Sequence, residues 1–314
     1  MKKSVFITGV YGFLGSWCAD FFSASGFDVV GFGYASKKCQ CSNLGALSGV
    51  VEGAVSARSL NDATERFGVP HALIHCAGGA SVAFSYENPR EDFLRTVGST
   101  AEVLEFLRRH ASVRLVYPSS VAVYGATERV PIVEAQSCAP VSPYGHHKHL
   151  AEQLCRAYAE EWKFPAAIVR FFSLYGEGLH KQLLWDACRK AARGNFSFFG
   201  AGDETRDWMS VRDAVRLTAL AVEHAAPNCP TVNGGTGDGM RVKEMLTEIG
   251  RLFDPGLSPV FSGEAKPGDP ATQLADVTRL RAWGFEPCVE RRAGIAAYVA
   301  WFQQKFGEGS RCVA

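Results

Sequence analysis

Tyr144 and Lys148 stand four residues apart in the run Ser142-Pro143-Tyr144-Gly145-His146-His147-Lys148, and on a helix residues i and i+4 share one face. A phenol beside an ammonium is an acid/base device. A free tyrosine ionises near pH ~10, and a neighbouring positive charge favours the phenolate and pulls that value toward neutrality, where proton transfer is useful. The helix start is well marked, because Ser142 suits the cap and Pro143 the first turn. The plain alternative is an exposed aromatic and a solvated lysine one turn apart, since this spacing arises by chance in many helices. Context decides, and part of it lies upstream. The strand pattern Val113-Arg114-Leu115-Val116-Tyr117 runs into Pro118-Ser119-Ser120, and hydroxyls at the carboxyl end of a central strand face the crevice where open α/β sheets bind ligands.

A second constellation, Thr8-Gly9-Val10-Tyr11-Gly12-Phe13-Leu14-Gly15, follows the first strand and opens a helix. Its glycines permit a tight turn and close approach of backbone to a pyrophosphate, while the helix N-terminus supplies N–H groups and positive dipole. This is a dinucleotide site. An acidic residue at the end of the second strand holds the ribose hydroxyls of NAD in such folds, but Asp28-Val29-Val30-Gly31-Phe32-Gly33-Tyr34 ends in glycine and is followed by Ser36, Lys37 and Lys38. A carboxylate would repel a 2′-phosphate, and two lysines would attract one, so NADP(H) is favoured and NAD(H) is the alternative. The two lysines also fit a solvated surface loop. The cofactor-binding candidates are Gly9, Gly12, Phe13, Leu14, Gly15, Ser36, Lys37, Lys38 and Ala77, with Tyr144 and Lys148.

The elements that position these residues alternate in the first half of the chain. Val5-Phe6-Ile7, Val29-Val30, Val50-Val51, Leu73-Ile74, the run from Val113 to Val116 and Ala167-Ile168-Val169 read as buried strands, with helical patterns between them, the longest near 87–110 and 143–162. The fold class is therefore α/β, a Rossmann-type doubly wound parallel sheet. From about residue 175 the rhythm changes to glycine- and proline-punctuated loops with helical patterns near 179–193, 211–224, 241–253 and 290–306. We read residues 1–175 as the dinucleotide-binding domain and 176–314 as a smaller substrate-binding lobe, with some chain crossing back to the sheet.

Composition narrows the partners. The 314 residues carry 33 Lys and Arg against 32 Asp and Glu, with no basic patch interleaved with aromatics, so nucleic acid is not expected. Apolar stretches break well before the ~20 residues that span a bilayer, and no membrane association is expected. Met1-Lys2-Lys3 and the apolar run after it are read as strand, turn and helix rather than a secretory signal. The ten cysteines are scattered, and Cys39-Gln40-Cys41 has neither a zinc nor a redox spacing. A reducing, cytoplasmic location without disulfides follows. His146, His147 and His149 have no cysteine or carboxylate at ligand spacing, so no metal site is expected.

The glycine turn, the Ser119-Ser120-Val121-Ala122-Val123-Tyr124-Gly125 run, the Ser142-Pro143-Tyr144-Gly145 run with Lys148, and Arg170-Phe171-Phe172-Ser173-Leu174-Tyr175-Gly176 together resemble the extended short-chain dehydrogenase/reductase family, in particular its nucleotide-sugar epimerases and reductases. The resemblance covers nearly the whole length. It implies Tyr144 as general acid/base, Lys148 as the group that lowers its pKa and binds the nicotinamide ribose, and Ser120 as a hydrogen-bond partner of the reacting oxygen. Ser119 either assists Ser120 or is satisfied by backbone. The loop Gly200 to Asp207 is similar to the one whose arginine grips the nucleotide diphosphate, which implies Arg206, although a structural pair with Asp207 or Asp213 also fits. Lys266 stands in a second phosphate-contacting loop where an arginine is more usual. His180 lies near the expected substrate mouth, or is simply a polar residue at a helix start.

Departures from the family pattern are Ser173 and Thr96 where asparagines are usual, and Ala54 where an aspartate often meets adenine. Val121 and Ala122 replace both the Asp-Glu pair of the 4,6-dehydratases and the cysteine of the double epimerases, so neither chemistry is expected. The substrate-facing set is Ser119, Ser173, His180, Arg206 and Lys266. The resemblance implies an oxidoreductase of a nucleotide-linked sugar, and Gly33, Lys37 and Lys38 favour an NADP(H)-dependent reductase of a 4-keto-sugar, with an NAD-dependent 4-epimerase as the alternative and a non-catalytic dinucleotide sensor as a third reading. Apolar residues on more than one side of helices 87–110 and 143–162, among them Phe93, Val97, Leu104, Leu107, Leu150, Leu154 and Tyr158, point to a homodimer through those helices.

Overall fold

In the computed structural model the described residues are 2–34, 47–79, 81–127, 129–264 and 270–307. The strands in chain order are β1 (Ser4–Thr8), β2 (Asp28–Gly33), β3 (Gly49–Glu52), β4 (Ala72–His75), β5 (Arg114–Ser120), β6 (Ala166–Phe171), β7 (Ser173–Tyr175), β8 (Ser197–Phe198), β9 (Thr205–Ser210), β10 (Thr231–Gly234), β11 (Gly239–Arg241), β12 (Val260–Phe261) and β13 (Thr272–Gln273). Seven of them form one parallel sheet in the order β10-β6-β5-β4-β1-β2-β3. The order reverses between β1 and β4, and the carboxyl ends of these two strands open the crevice where such sheets take ligands.

The helices are α1 (Phe13–Ala24), α2 (Ala57–Phe67), α3 (Val82–Glu87), α4 (Pro89–Phe93), α5 (Ser99–Arg109), α6 (Pro143–Trp162), α7 (Gln182–Ala192), α8 (Val211–His224), α9 (Val242–Phe253), α10 (Thr278–Ala282) and α11 (Arg291–Phe306), of which α1 and α8 cover one face of the sheet and α2, α5 and α6 the other. Strand side chains alternate between the faces. Val5 and Ile7 of β1 pack with Cys18, Ala19 and Phe22 of α1 and with α8, while Phe6 between them packs with Leu60 of α2 and with α5 and α6. Buried on both sides, the strands are continuous apolar runs, as parallel strands must be. The parallel sheet expected from the sequence is thus present, and α6 spans the predicted 143–162.

The helix expected over 87–110 is instead broken. Pro89 starts α4, and a π-helical turn at Leu94–Gly98 precedes α5. Such turns widen the helix by a residue and are frequent at functional sites. Here the turn carries buried Thr96, whose Oγ1 accepts from Gly79 N at 2.8 Å. The backbone beyond β4 is held against the helix by that bond.

Beyond β6, residues 231–234 return as strand β10 to extend the main sheet, while α7, α9 and α11 enclose a separate core with Leu184, Cys188, Met245, Ile249, Tyr298 and Phe302. Strand β9 centres a small sheet with β7, β11 and β13. It links this core to the large sheet, because β7 follows β6 after one residue. Among the described residues no helix is long and apolar enough to cross a membrane.

Candidate active site

Local sequence builds the glycine turn. Gly9 has φ +66° and a Cβ there would come 2.7 Å from Ala77 N, while a Cβ on Gly15 would lie 2.2 Å from Gly9 O. Only glycine brings β1, α1 and the end of β4 this close. Gly12 precedes α1 with no side chain to cap it, so Gly12, Phe13, Leu14 and Gly15 present the helix N-terminus to a cleft of about 900 Å³. Free N–H groups and dipole there fit a pyrophosphate.

Thr8, His75 and Thr100 stiffen the floor of this cleft. Thr8 Oγ1 lies 2.7 Å from His75 Nδ1 and accepts from Ala77 N at 3.1 Å, and His75 Nε2 lies 3.1 Å from Thr100 Oγ1. Burial and the charge of Lys148 lower the His75 pKa to about 3, so the imidazole is neutral throughout the physiological range and acts as a hydrogen-bonded strut.

At the other end of the cleft, β5 and α6 bring the hydroxyls and the ammonium together. Pro118 lies past the last β4 pairing, Ile74 with Val116, where β5 has β6 alone as a neighbour and a missing N–H is tolerated. Its carbonyl accepts from Lys148 Nζ at 2.9 Å. Ser142 Oγ caps α6 by accepting from Gly145 N at 3.1 Å, and Tyr144 N donates to Ser85 Oγ at 3.1 Å. A Cβ on Gly145 would lie 2.6 Å from Ala122 O; its absence lets α6 press against the turn after Ser120. As a result Ser120, Tyr144 and Lys148 line one cleft with Gly9, Ala77 and the glycine turn.

The electrostatics differ from the sequence expectation in one respect. Burial raises the Tyr144 pKa, the Ser120 hydroxyl bonded to it pulls the other way, and the Asp92 charge raises it further. The phenol therefore sits above its ordinary value, not below it. Lys148 is 6 % exposed, aims its ammonium at Pro118 O, lies 4.8 Å from the Tyr117 ring centroid, and is itself lowered to about 8 by burial. Of the two groups around Tyr144, Ser120 is the one that favours the phenolate.

One turn further on, Glu152 fixes this face of α6. It is fully buried and takes Arg170 Nε and Nη2 at 2.9 and 2.6 Å and Arg156 Nη2 at 2.9 Å. Burial opposes its ionisation, but the hydrogen bonds and charges around it, chiefly from Arg170, hold the carboxyl below its usual value. Residues 144, 148 and 152 share a helix face, so this β6 anchor sets where the phenol and ammonium point. His147 Nδ1 lies 2.6 Å from Asp92 Oδ2 and ties α6 to α4 in the same way.

The substrate-facing candidates do not all meet at the cleft. His180 does not line the cleft: it stacks on Trp185 with centroids 4.7 Å apart and packs against Trp301 and Phe306, because aromatic burial outweighs exposing the ring. Its neighbours Leu179, Lys181 and Gln182 line the cleft instead. Buried Arg206 donates from Nη1 to Thr205 O and Pro270 O at 3.0 and 2.8 Å and, like Ser173, is not among the described lining residues. Asp207 accepts from Thr236, Gly237 and Ala275, and Asp213 from Arg216, Cys288 and Val289. Ser119 lines the cleft, but only 5 % of it is exposed. Ser36, Lys37, Lys38 and Lys266 lie outside the described residues.

The histidine argument also changes. His149 has a cysteine and a carboxylate within reach, since the ligand atoms of Cys138, His149 and Glu152 lie within 4.8 Å of one another. Two arginines already neutralise Glu152, and their charge repels a cation. The His75 strut, the Asp92 pair, Lys181 and the Glu152 anchor were all missed in the sequence. Thr8 and His75 at the ends of two strands were the one available signal.

The profile of the NAD dependent epimerase/dehydratase family matches residues 5–233. The chain is 27 % identical over 303 residues to UDP-glucose 4-epimerase 4 of Oryza sativa, covering 85 % of this chain and 81 % of that one. It is 28 % identical over 313 residues to a putative UDP-glucose 4-epimerase of Methanocaldococcus jannaschii, covering 95 % and 98 %. The UDP-glucose 4-epimerase of Brucella ovis, solved with NAD, superposes with a TM-score of 0.84 at 28 % identity, covering 97 % and 98 %.

Proposed function

Because the chain belongs to the NAD dependent epimerase/dehydratase family, we propose that it is a nucleotide-sugar 4-epimerase using bound NAD(H). The order of the two enzyme readings made on the sequence is reversed. Reduction of a 4-keto-sugar with NADP(H) rested on Gly33, Lys37 and Lys38, and both lysines lie outside the described residues. The epimerase reading is supported by relatives that carry that name over most of both chains and by one feature of the site. Tyr144, hydrogen-bonded to Ser120, is the single phenol at that end of the cleft among the described residues, with Val121 and Ala122 supplying no second acid/base. Inverting one carbon needs one group that takes a proton from the sugar hydroxyl and returns it.

The nicotinamide dinucleotide, when bound, supplies the acceptor and donor of hydride. Its phosphates fit Gly9, Gly12, Phe13, Leu14 and Gly15. In this reading Tyr144 takes and returns the proton of the sugar oxygen, Ser120 orients that oxygen, and Lys148, rigid on the Pro118 carbonyl, binds the nicotinamide ribose. Lys181 and Gln182 face the sugar nucleotide from the 176–314 lobe, whose division from residues 1–175 belongs to the same proposal. With a UDP-hexose, we expect its C4 epimer by proton magnetic resonance and no net change in nicotinamide absorbance. Steady consumption of NADPH with a 4-keto nucleotide sugar, and no epimer, would establish the reductase instead.

A homodimer through α4, α5 and α6 is part of this reading. Val97, Leu104 and Leu107 are buried in the chain's own core, but Phe93, Leu94, Leu150 and Trp162 stay exposed there, and apolar patches of this kind seek a partner. Light scattering at micromolar concentration is expected to give twice the chain mass; the mass of one chain would exclude it. Cysteines support a reducing, cytoplasmic location: the seven described are free thiols, and four are buried.

A further inference from the structure

A second cavity, of about 670 Å³, shares no lining residue with the cleft. Its walls include Arg156 of α6, Arg170 of β6 and Arg279 of α10, with Pro230 and Trp283. Arg156 Nη2 donates to Thr231 Oγ1 at 2.9 Å and Arg279 Nη1 to Thr231 O at 2.6 Å, so guanidiniums from two helices converge on the first residue of β10. Like charges gathered in this way repel unless an opposite charge stands near them. Glu152 answers Arg170 and Arg156, and Glu134, the carboxylate among the described lining residues, accepts from Asn233 N at 2.9 Å. Three guanidiniums thus meet two carboxylates, and the cavity is net positive. Among the described residues Arg279 has no carboxylate partner, and Nε and Nη1 of Arg156 and Nε and Nη2 of Arg279 donate to no protein group.

We propose that this cavity binds the phosphate group of a small organic molecule between Arg156 and Arg279. A tetrahedral oxyanion presents oxygens in several directions and so takes donors that arrive from two helices, whereas a carboxylate takes its donors in one plane. The cavity has the size of a ligand site and is far larger than a bare phosphate. The rest of the occupant therefore lies against Pro230 and the Trp283 ring, which is itself held by stacking on His224 with centroids 4.5 Å apart. This site is independent of the dinucleotide cleft and of the reaction proposed there.

The test is calorimetric titration of the full chain with inorganic phosphate, phenyl phosphate and acetate, in a buffer free of other oxyanions and with NAD+ in excess to occupy the glycine turn. The wild type is expected to bind one phosphate per chain, phenyl phosphate more tightly and acetate more weakly. Arg279→Gln should weaken phosphate roughly tenfold, about the value of one charge-assisted hydrogen bond. Arg279 is exposed and bonds a single carbonyl, so the variant should fold, which thermal unfolding checks. Arg156→Lys keeps the charge that faces Glu152 but loses the fork, and should weaken phosphate as well; it decides if Arg279→Gln does not fold. The proposal is overturned if the wild type binds no phosphate, if acetate binds as tightly as phosphate, or if phenyl phosphate binds no more tightly than phosphate. A phosphate affinity unchanged in either folded variant would place the anion elsewhere and overturn it too.

Discussion

Tyr144→Phe is expected to lower turnover by about 10²- to 10⁴-fold, the usual contribution of a positioned acid/base, while dinucleotide affinity stays within a few-fold of wild type. The change removes one oxygen and no backbone contact, since the Tyr144 bond to Ser85 is through its amide. Steady-state kinetics and calorimetric binding check the two halves separately. Turnover equal to wild type would remove Tyr144 from the chemistry. The acid limb of the rate profile carries a companion expectation. Ser120 lowers a phenol that burial and Asp92 raise, so in Ser120→Ala the phenol rises further and the limb moves to higher pH. At neutral pH this variant is slower, and part of its rate returns as pH increases. A limb that stays in place would show that Ser120 does not tune the phenol.

The second large effect is on stability. Glu152 is fully buried between Arg170 and Arg156, and removing one member of a buried ion pair leaves the other charge uncompensated, at a cost of about 3–5 kcal/mol. Glu152→Gln should show that loss in denaturant unfolding, whereas removing the exposed pair Arg58 and Asp62 should leave the midpoint unchanged. The pH dependence has a definite sign. The folded carboxyl lies below its ordinary value, so its stabilisation is complete above the unfolded-state pKa of about 4.3 and fades as pH falls through the lower, folded value. The Gln variant lacks that acid-side loss. Equal stability of variant and wild type at neutral pH would mean that the arginines find other partners.

Local signals carried much of the fold. Helix α6 was legible from Ser142 and Pro143 because caps act within one turn, and the sheet from apolar runs because both of its faces are covered. The 87–110 helix was misread because a periodic apolar pattern does not reveal the break at Pro89 or the π-turn around Thr96. In the site, candidates close in sequence or set at strand ends, Ser120, Tyr144, Lys148 and the glycine turn, come together along one cleft. Pairings across long stretches of chain were not legible. His147 meets Asp92 and His75 meets Thr8 over 55 and 67 positions, and no spacing rule encodes such contacts. His180 was misplaced for the same reason, since its aromatic partner Trp301 lies on the last helix.

The central claim is inversion at one sugar carbon by a single phenol and a retained dinucleotide. The most direct test uses a UDP-hexose carrying deuterium at C4, incubated with the purified protein without added nucleotide and followed by magnetic resonance. The account predicts the C4 epimer with its deuterium still at C4 and none lost to water. Loss of deuterium to solvent during inversion, or no inversion while added NADPH is consumed against a 4-keto-sugar, would contradict it.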